Sequence, residues 1–215
     1  MNLSGRDADF LGTLHWKVEE TTVEGSEEKK LSYVKRADGT IDRFEYVYDS
    51  YGTVHDSAIA LGRGFLKIGG TVGGTVALFS INRAEWALTE LGCYTQSMPV
   101  VPLYPTLGPD SVEYIIKQAE TKTIVVSKEN VSKLIPILEK IKDVVQNIVI
   151  LGVLFDGKYG NTLDTIDENE RSQIEAAGIK VYGYSEIIAQ GLEDETPLSL
   201  VEDKDHPAFI MFTSG

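Results

Sequence analysis

The residues best suited to chemistry stand at the end of the chain, where Thr213-Ser214-Gly215 follows the apolar run Pro207-Ala208-Phe209-Ile210-Met211-Phe212. Two hydroxyls, a glycine that lets the backbone come close, and free backbone N–H groups are what a phosphate cradle requires. Taken alone, the tripeptide is a weak signal and reads better as a plain turn. Arg83, Glu85 and Trp86 open a helix. They read as anchors, Trp86 by packing and Glu85 by its place at the positive helix end, with contact to a ligand as the other reading. Ser80, His55 and Asp110 form no recognisable triad and no two carboxylates pair by spacing, so no catalytic residue is assigned. The single cysteine, Cys93, lies one step from an apolar stripe and reads as a small buried residue. His15, His55 and His206 have no ligand spacing among themselves or with Cys93, and no metal site is assigned.

These groups need a frame, and the hydrophobic pattern supplies one. Phe44 to Tyr48 alternates as a strand, Ser50 can cap, and Val54, Ala58, Leu61 and Phe65 share one face of a helix over about residues 51–67. Gly69-Gly70-Thr71-Val72-Gly73-Gly74 follows that helix and leads into the strand 76–79. A dinucleotide loop would follow a strand and open a helix, so a helix C-cap and turn is the better account. Asn82, with Glu85 three residues on, predicts a capped helix whose face is Ala84, Ala87, Leu91 and Tyr94. A strand over 98–103 follows, then a helix opened by Pro109 with the stripe Val112, Ile115, Ile116 and Ala119. Residues 123–127 form a β-branched strand, 130–141 a helix split at Pro136, and 148–151 another strand.

From Asp156 to Ala177 the chain turns polar and reads as a surface excursion. A strand over 180–182, a short helix over 185–190, an acidic linker over 193–205 and a buried strand over 207–212 complete the pattern. Residues 1–43 are polar, with the turn signal Asp38-Gly39, and read as a lead-in arm. Strands alternating with helical stretches predict an α/β fold, a parallel sheet with helices on both faces. Its loops 80–83, 103–109, 127–130 and 213 onward then gather at the strand C-termini, the edge where such sheets bind ligands.

Composition narrows the partners. The 215 residues carry 20 Lys plus Arg against 33 Asp plus Glu, a formal charge of −13, which argues against nucleic acid. A chain that is 42% hydrophobic buries a real core, and one cysteine fits a reducing compartment. No cationic segment followed by an apolar run opens the sequence, and no apolar stretch reaches the ~18 to 20 residues of a membrane span.

Phe209-Ile210-Met211-Phe212-Thr213-Ser214-Gly215 resembles the opening of the ATP loop of the adenylate-forming, or AMP-binding, superfamily, which continues Thr-Thr-Gly-x-Pro-Lys-Gly in that family. Asn82-Arg83-Ala84-Glu85-Trp86 resembles its Asn-Arg-x-Glu-Trp helix start. The stretch Val101 to Ile115, VPLYPTLGPDSVEYI, resembles the corresponding segment of long-chain fatty acyl-CoA synthetases. The resemblance covers most of residues 44–151 and 207–215. Three departures stand out: Pro105 where many members carry Asp, Gly73-Gly74-Thr75 for a Pro-Gly-Asp turn, and Phe212 for a common Tyr.

The resemblance implies the N-terminal part of the large adenylate-forming domain, with an arm over 1–43 and a partial AMP-binding domain over 44–215 truncated inside its phosphate loop. It implies Thr213, Ser214 and Gly215 as phosphate contacts. For a longer parent it implies ATP, Mg2+ and CoA, a long-chain fatty acid substrate, and acyl-CoA formation through an acyl-adenylate. The 215-residue chain alone is expected to be inactive. Peripheral membrane association follows from the resemblance alone, with a cytoplasmic parent at the endoplasmic reticulum or peroxisomal membrane. Two other readings accompany it: a non-catalytic truncated binding module or gene fragment, and a ligase for an aryl, amino or other carboxylic acid.

Overall fold

The computed structural model describes residues 5–16, 18–22, 29–33, 37, 44–152, 167–201 and 203–213. The turn signal Asp38-Gly39, the stretch 153–166, Ser214 and Gly215 lie outside the described residues. Strand β1 (Asp9–Trp16) pairs antiparallel with β4 (Phe44–Ser50), and β2 (Val18–Thr22) pairs with β3 (Lys29–Tyr33). Helix α1 (Tyr51–Lys67) starts where Ser50 Oγ accepts from Thr53 N at 3.1 Å. The Thr53 hydroxyl, 3.0 Å from Ser50 Oγ, stands where a capping box would place Glu. Two further helix-start donors reach backbone carbonyls, Tyr51 N to Ala8 O and Gly52 N to Arg6 O.

Helix α1 ends as the glycine run predicts. Gly70 N donates to Phe65 O and Gly69 N to Leu66 O, with Gly69 at φ +100°, which together make a Schellman motif. Gly73 adopts φ +77° and donates its N–H to Ser97 O, so glycine is needed in the Gly73-Gly74-Thr75 turn on conformational grounds.

The central sheet is parallel and comprises β5 (Val76–Phe79), β6 (Val100–Leu103), β7 (Thr123–Ser127), β8 (Asn147–Leu151) and β9 (Lys180–Gly183), in the order β6-β5-β7-β8-β9. Alternate residues of each strand enter opposite cores, so the strands read as unbroken apolar runs. Leu78, Val125 and Val149 face one core with Leu61 and Phe65 of α1, Cys93 of α2 (Ala84–Tyr94) and Ile187 of α7 (Tyr184–Leu192). Phe79, Ile124 and Ile148 face the other. There they meet Val112 and Ile116 of α3 (Pro109–Gln118), Val131 of α4 (Lys128–Leu134), Leu138 of α5 (Leu138–Ile141) and Ile174 of α6 (Glu168–Ala176). The connection from β5 to β6 runs one way along the sheet and those from β6 to β9 run the other. Placing α2 on one face and α3 to α6 on the other is what a single hand for every crossover requires.

On the first face the helices approach backbone to backbone. A Cβ added at Gly191 of α7 would lie 1.7 Å from Ala60 O, and one at Gly64 of α1 would lie 2.1 Å from Ile187 O. A Cβ at Gly62 would stand 2.1 Å from Thr95 Oγ1 beside α2. Glycine is disfavoured inside helices, and here it is required by contact rather than by φ.

Several expectations are corrected. Helix α2 is capped by the backbone of Arg83, one residue beyond Asn82, so Glu85 sits at the second helical position and cannot close a capping box. Its fully buried line is Thr89, Gly92 and Cys93, while Ala84, Ala87, Leu91 and Tyr94 are half-buried, because α2 meets α1 through the small surface of Gly92. The polar stretch ending at Ala177 contains α6, capped by Asp167 Oδ1 accepting from Asn169 N and Glu170 N, and anchored by fully buried Ile174. The segment split at Pro136 starts two residues earlier than expected, at Lys128, and passes through a 3₁₀ turn at Ile135–Ile137.

Residues 207–212 form no strand. Val100 N donates to Ala208 O and Ile210 N to Val100 O, a single parallel bridge, and the residues are half-buried or exposed. Along a strand the groups of residues i and i+2 face the same side, so Pro102 faces the edge that Val100 offers. Pro102 has no N–H to donate there, and the ladder ends.

The acidic connector 193–206 is held to the opposite end of the sheet. Arg63 Nε donates to Thr196 O, Ser97 Oγ donates to Ser199 O, and Val201 N donates to Ser97 Oγ. At the start of α2, Arg83 is a staple. Its guanidinium pairs bidentately with Glu85 at 2.7 and 3.0 Å and donates to Gly152 O at 2.8 Å, with only 2% of its side chain exposed. That ties the β5–α2 loop to the end of β8.

Two outcomes follow for stability, both read by chemical denaturation. Gly191→Ala is expected to destabilise by about 1–3 kcal/mol, the opposite sign from the roughly 1 kcal/mol gain of Gly→Ala in an open helix; a neutral result removes the α1–α7 contact as the reason for glycine. Arg83→Met should destabilise by about 3–5 kcal/mol through stranding Glu85, and Arg83→Met with Glu85→Leu should recover much of the loss.

Candidate functional site

A cleft of about 530 Å³ opens at the C-terminal ends of β5 and β6. Pro102 and Leu103 line its strand side, and Ile81, Asn82 and Trp86 supply one wall. The opposite wall is Tyr104, Pro105 and Thr106, with Phe209 and Met211 closing a third side. Two of the four loops expected at the ligand edge, 80–83 and 103–109, therefore build it together with the segment that carries Thr213. Among the described residues no charged side chain lines it, and its surface is predominantly apolar.

Short-range chemistry explains the walls. Tyr104-Pro105-Thr106-Leu107 is a turn closed by Leu107 N donating to Tyr104 O at 2.9 Å, and Pro105 occupies the position where proline's fixed φ suits a turn. The departure from Asp at Pro105 thus keeps a well-formed turn. Trp86 lies over Phe209 with ring centroids 6.4 Å apart and planes 21° apart, and Tyr94 meets Phe209 edge-on at 5.9 Å. Phe212 packs edge-on against Tyr114 at 6.1 Å. Phe209 and Phe212 thereby fix both faces of a segment that has one backbone bridge.

Thr213 is exposed, two residues beyond Met211. Ser214 and Gly215 lie outside the described residues. Trp86 both packs and faces the cleft, whereas Arg83 and Glu85 are committed to each other and to Gly152, so two of the three helix-start residues are anchors and one reaches the cleft. Cys93 is fully buried, and burial pushes its thiol far above the usual range, which leaves no thiolate for nucleophilic work. Ser80 Oγ donates to Ile81 O, His55 pairs with Asp56 on α1, and Asp110 is almost fully exposed on α3. Among the described residues no three His, Cys, Asp or Glu side chains converge, so no ligand set for Mg2+ is assigned to them. No helix among them is long and apolar enough to cross a membrane.

The order β6-β5-β7-β8-β9 reverses direction at β5 and β7, and such a switch point is where ligands commonly enter open α/β sheets. Here side chains fill it. Asn130 Nδ2 donates to Ser127 Oγ at 2.9 Å and to Phe79 O at 3.4 Å, and Lys133 Nζ donates to Asn130 Oδ1 at 2.9 Å. The opening is displaced to the β5–β6 side. Composition alone carried no signal for Asn130 and Lys133, whose roles come from the sheet order.

Comparison with known proteins places this geometry. Residues 32–215 match the model of the family described as AMP-binding enzyme. The chain is 31% identical over 209 residues to the peroxisomal long chain acyl-CoA synthetase 7 of Arabidopsis thaliana, covering 97% of this chain and 28% of that protein. It is 33% identical over 172 residues to long-chain-fatty-acid–CoA ligase 6 of Rattus norvegicus, covering 79% of this chain and 23% of the relative. The chain thus spans less than a third of the length of these relatives. Among solved structures, the adenylation domain of a carboxylate reductase from Mycobacterium chelonae superposes with a TM-score of 0.71 over 99% of this chain and 31% of that one, at 20% identity. A long-chain-fatty-acid–CoA ligase from Archaeoglobus fulgidus superposes with a TM-score of 0.58 at 18% identity, over 77% of this chain and 28% of that one. With the family model spanning residues 32–215 and the Arabidopsis synthetase alike along nearly the whole chain, this protein belongs to the AMP-binding enzyme family.

Proposed function

We propose that this chain supplies the opening of the ATP site in a long-chain fatty acid–CoA ligase, with residues 1–43 as an arm and 44–215 as part of the AMP-binding domain. The observation that carries the reading is the uncharged cleft at the C-terminal edge of a parallel sheet, lined by Met211, two residues before exposed Thr213. The long-chain substrate is supported by the names of the relatives in plant and rat and by the apolar walls of the cleft, which suit the first part of an acyl chain. The two relatives named as peroxisomal support a parent that works at that organelle.

In the proposed reaction a carboxylate oxygen of the fatty acid attacks the α-phosphorus of ATP, the bond to the bridging oxygen breaks, and pyrophosphate leaves. The thiol of CoA, losing its proton, then attacks the acyl carbonyl carbon and expels AMP. The ionised carboxylate is already a nucleophile, so the first step needs no protein base, in keeping with a site built from positioning groups. Thr213 and Ser214 would donate hydroxyl hydrogen bonds to phosphate oxygens, and the Gly215 backbone would admit the phosphates closely. Charge neutralisation of the phosphates would come from magnesium bound with the nucleotide, for which none of the described residues is assigned as a ligand.

The 215-residue chain alone is expected to form no acyl-AMP from palmitate and ATP in a single-turnover assay, since the lysine that follows this loop in the family is not in it. Fused ahead of the remaining segments of the Arabidopsis relative, it should adenylate palmitate in preference to benzoate. Thr213→Val with Ser214→Ala should slow that fusion about 10²-fold. Preference for benzoate would replace the long-chain assignment, and an unchanged rate would remove these hydroxyls from the phosphate site.

A further inference from the structure

We propose that Lys133 is a positioning residue that fixes the outer wall of the cleft. Lys133 projects from α4, and its Nζ donates to the carbonyl of Pro105 as well as to Asn130 Oδ1. Pro105 is the first central residue of the Tyr104–Leu107 turn, and Tyr104, Pro105 and Thr106 are the wall itself. The carbonyl that follows such a position points out of the turn, so the turn's own hydrogen bond leaves it free for an outside donor. The other end of the brace is rigid. Asn130 is buried and held by Ser127 at the end of β7 and by Phe79 O at the end of β5, and the ammonium sits 5.8 Å above the Phe79 ring. One side chain therefore links two central strands to a loop that leaves the edge strand β6.

The arrangement matters because of where the wall is held. Leu107 packs against the core at the far end of the turn, whereas Tyr104 and Thr106 are exposed and the neighbouring segment 207–212 meets β6 through a single backbone bridge. A hydrogen bond from a charged donor in a half-buried place is among the stronger polar contacts available. Its loss leaves the Leu107 amide bonded only within a turn that can now tilt outward. The consequence for an acyl group rests on the proposed function, while the brace itself does not.

The experiment uses the 215-residue chain. In Lys133→Met, hydrogen exchange at the Leu107 amide is expected to accelerate about tenfold, while amides of β7 and β8 keep the parent rates. Lys133→Arg, which retains donors at similar reach, should restore slow exchange. In a Trp16→Phe background, acrylamide should quench Trp86 emission more strongly in Lys133→Met than in the parent. Unchanged Leu107 exchange together with unchanged Trp86 quenching in a folded Lys133→Met overturns the proposal. If that variant loses protection across β7 and β8, Lys133→Gln, which keeps polarity and much of the length, carries the same two readouts. Dodecanoate, titrated against Trp86 emission below its micelle concentration, separates the two readings. Saturable binding weakened in Lys133→Met supports both, whereas absence of binding to the parent with accelerated Leu107 exchange in the variant supports the brace and sinks the acyl reading of the cleft.

Discussion

Helix α1 touches α7 where Gly191 leaves room for the carbonyl of Ala60, and the position of nearly every later feature follows from that contact. Because no side chain separates the two backbones, α7 lies close along α1 and the chain leaves it beside Arg63, which takes the carbonyl of Thr196. From there Ser97 collects Ser199 and Val201, and the connector arrives at β6 with Phe209 opposite Val100. Phe209 then meets Trp86 and Tyr94, and Thr213 comes out at the sheet's C-terminal edge. A spacing set by two glycines on one face is converted, through hydrogen bonds to backbone carbonyls, into the course of the segment that lines the cleft with Phe209 and Met211.

The parts legible in the sequence are those where one local cause decides the outcome. Ser50, the Gly69-Gly70 cap, Pro109 at a helix start and the β-branched run at 123–127 each act within a few residues, and each appears where expected. The polar helix α6 carries little hydrophobic signal because only Ile174 is fully buried in it, although Asp167 followed by Glu170 is a readable start signal. The buried face of α2 departs from its apolar stripe because packing through Gly92 favours the smallest side chains over the most apolar ones. The strand expected at 207–212 depends on what its neighbour can donate, and Pro102 is remote in sequence. The ligand edge was legible from alternation alone, but the plug of Asn130 and Lys133 that moves the opening toward β6 depends on strand order, which alternation does not specify.

The proposed function sets an acidic protein against a polyanion. With a formal charge of −13, the chain offers ATP no long-range attraction. Among the described residues, Arg83 at this edge is committed to Glu85 and Gly152, and Lys133 to the oxygens of Pro105 and Asn130. On the proposed reading, phosphate recognition by this part of the domain would fall to neutral donors, hydroxyls and backbone N–H groups, whose energy depends steeply on distance and angle. Such donors give orientation rather than capture, which would suit the proposed reaction, whose nucleophile is already ionised and needs only alignment.

Pro102 also bears on how the chain is made. Val100 meets Phe209 only after α7 and the connector have been synthesised, so a ribosome extends most of this polypeptide while the outer side of β6 is uncovered. An apolar edge of that kind is a template for pairing between nascent chains on one message. The missing N–H of Pro102 makes β6 a poor template, protecting the growing polypeptide until its own segment arrives.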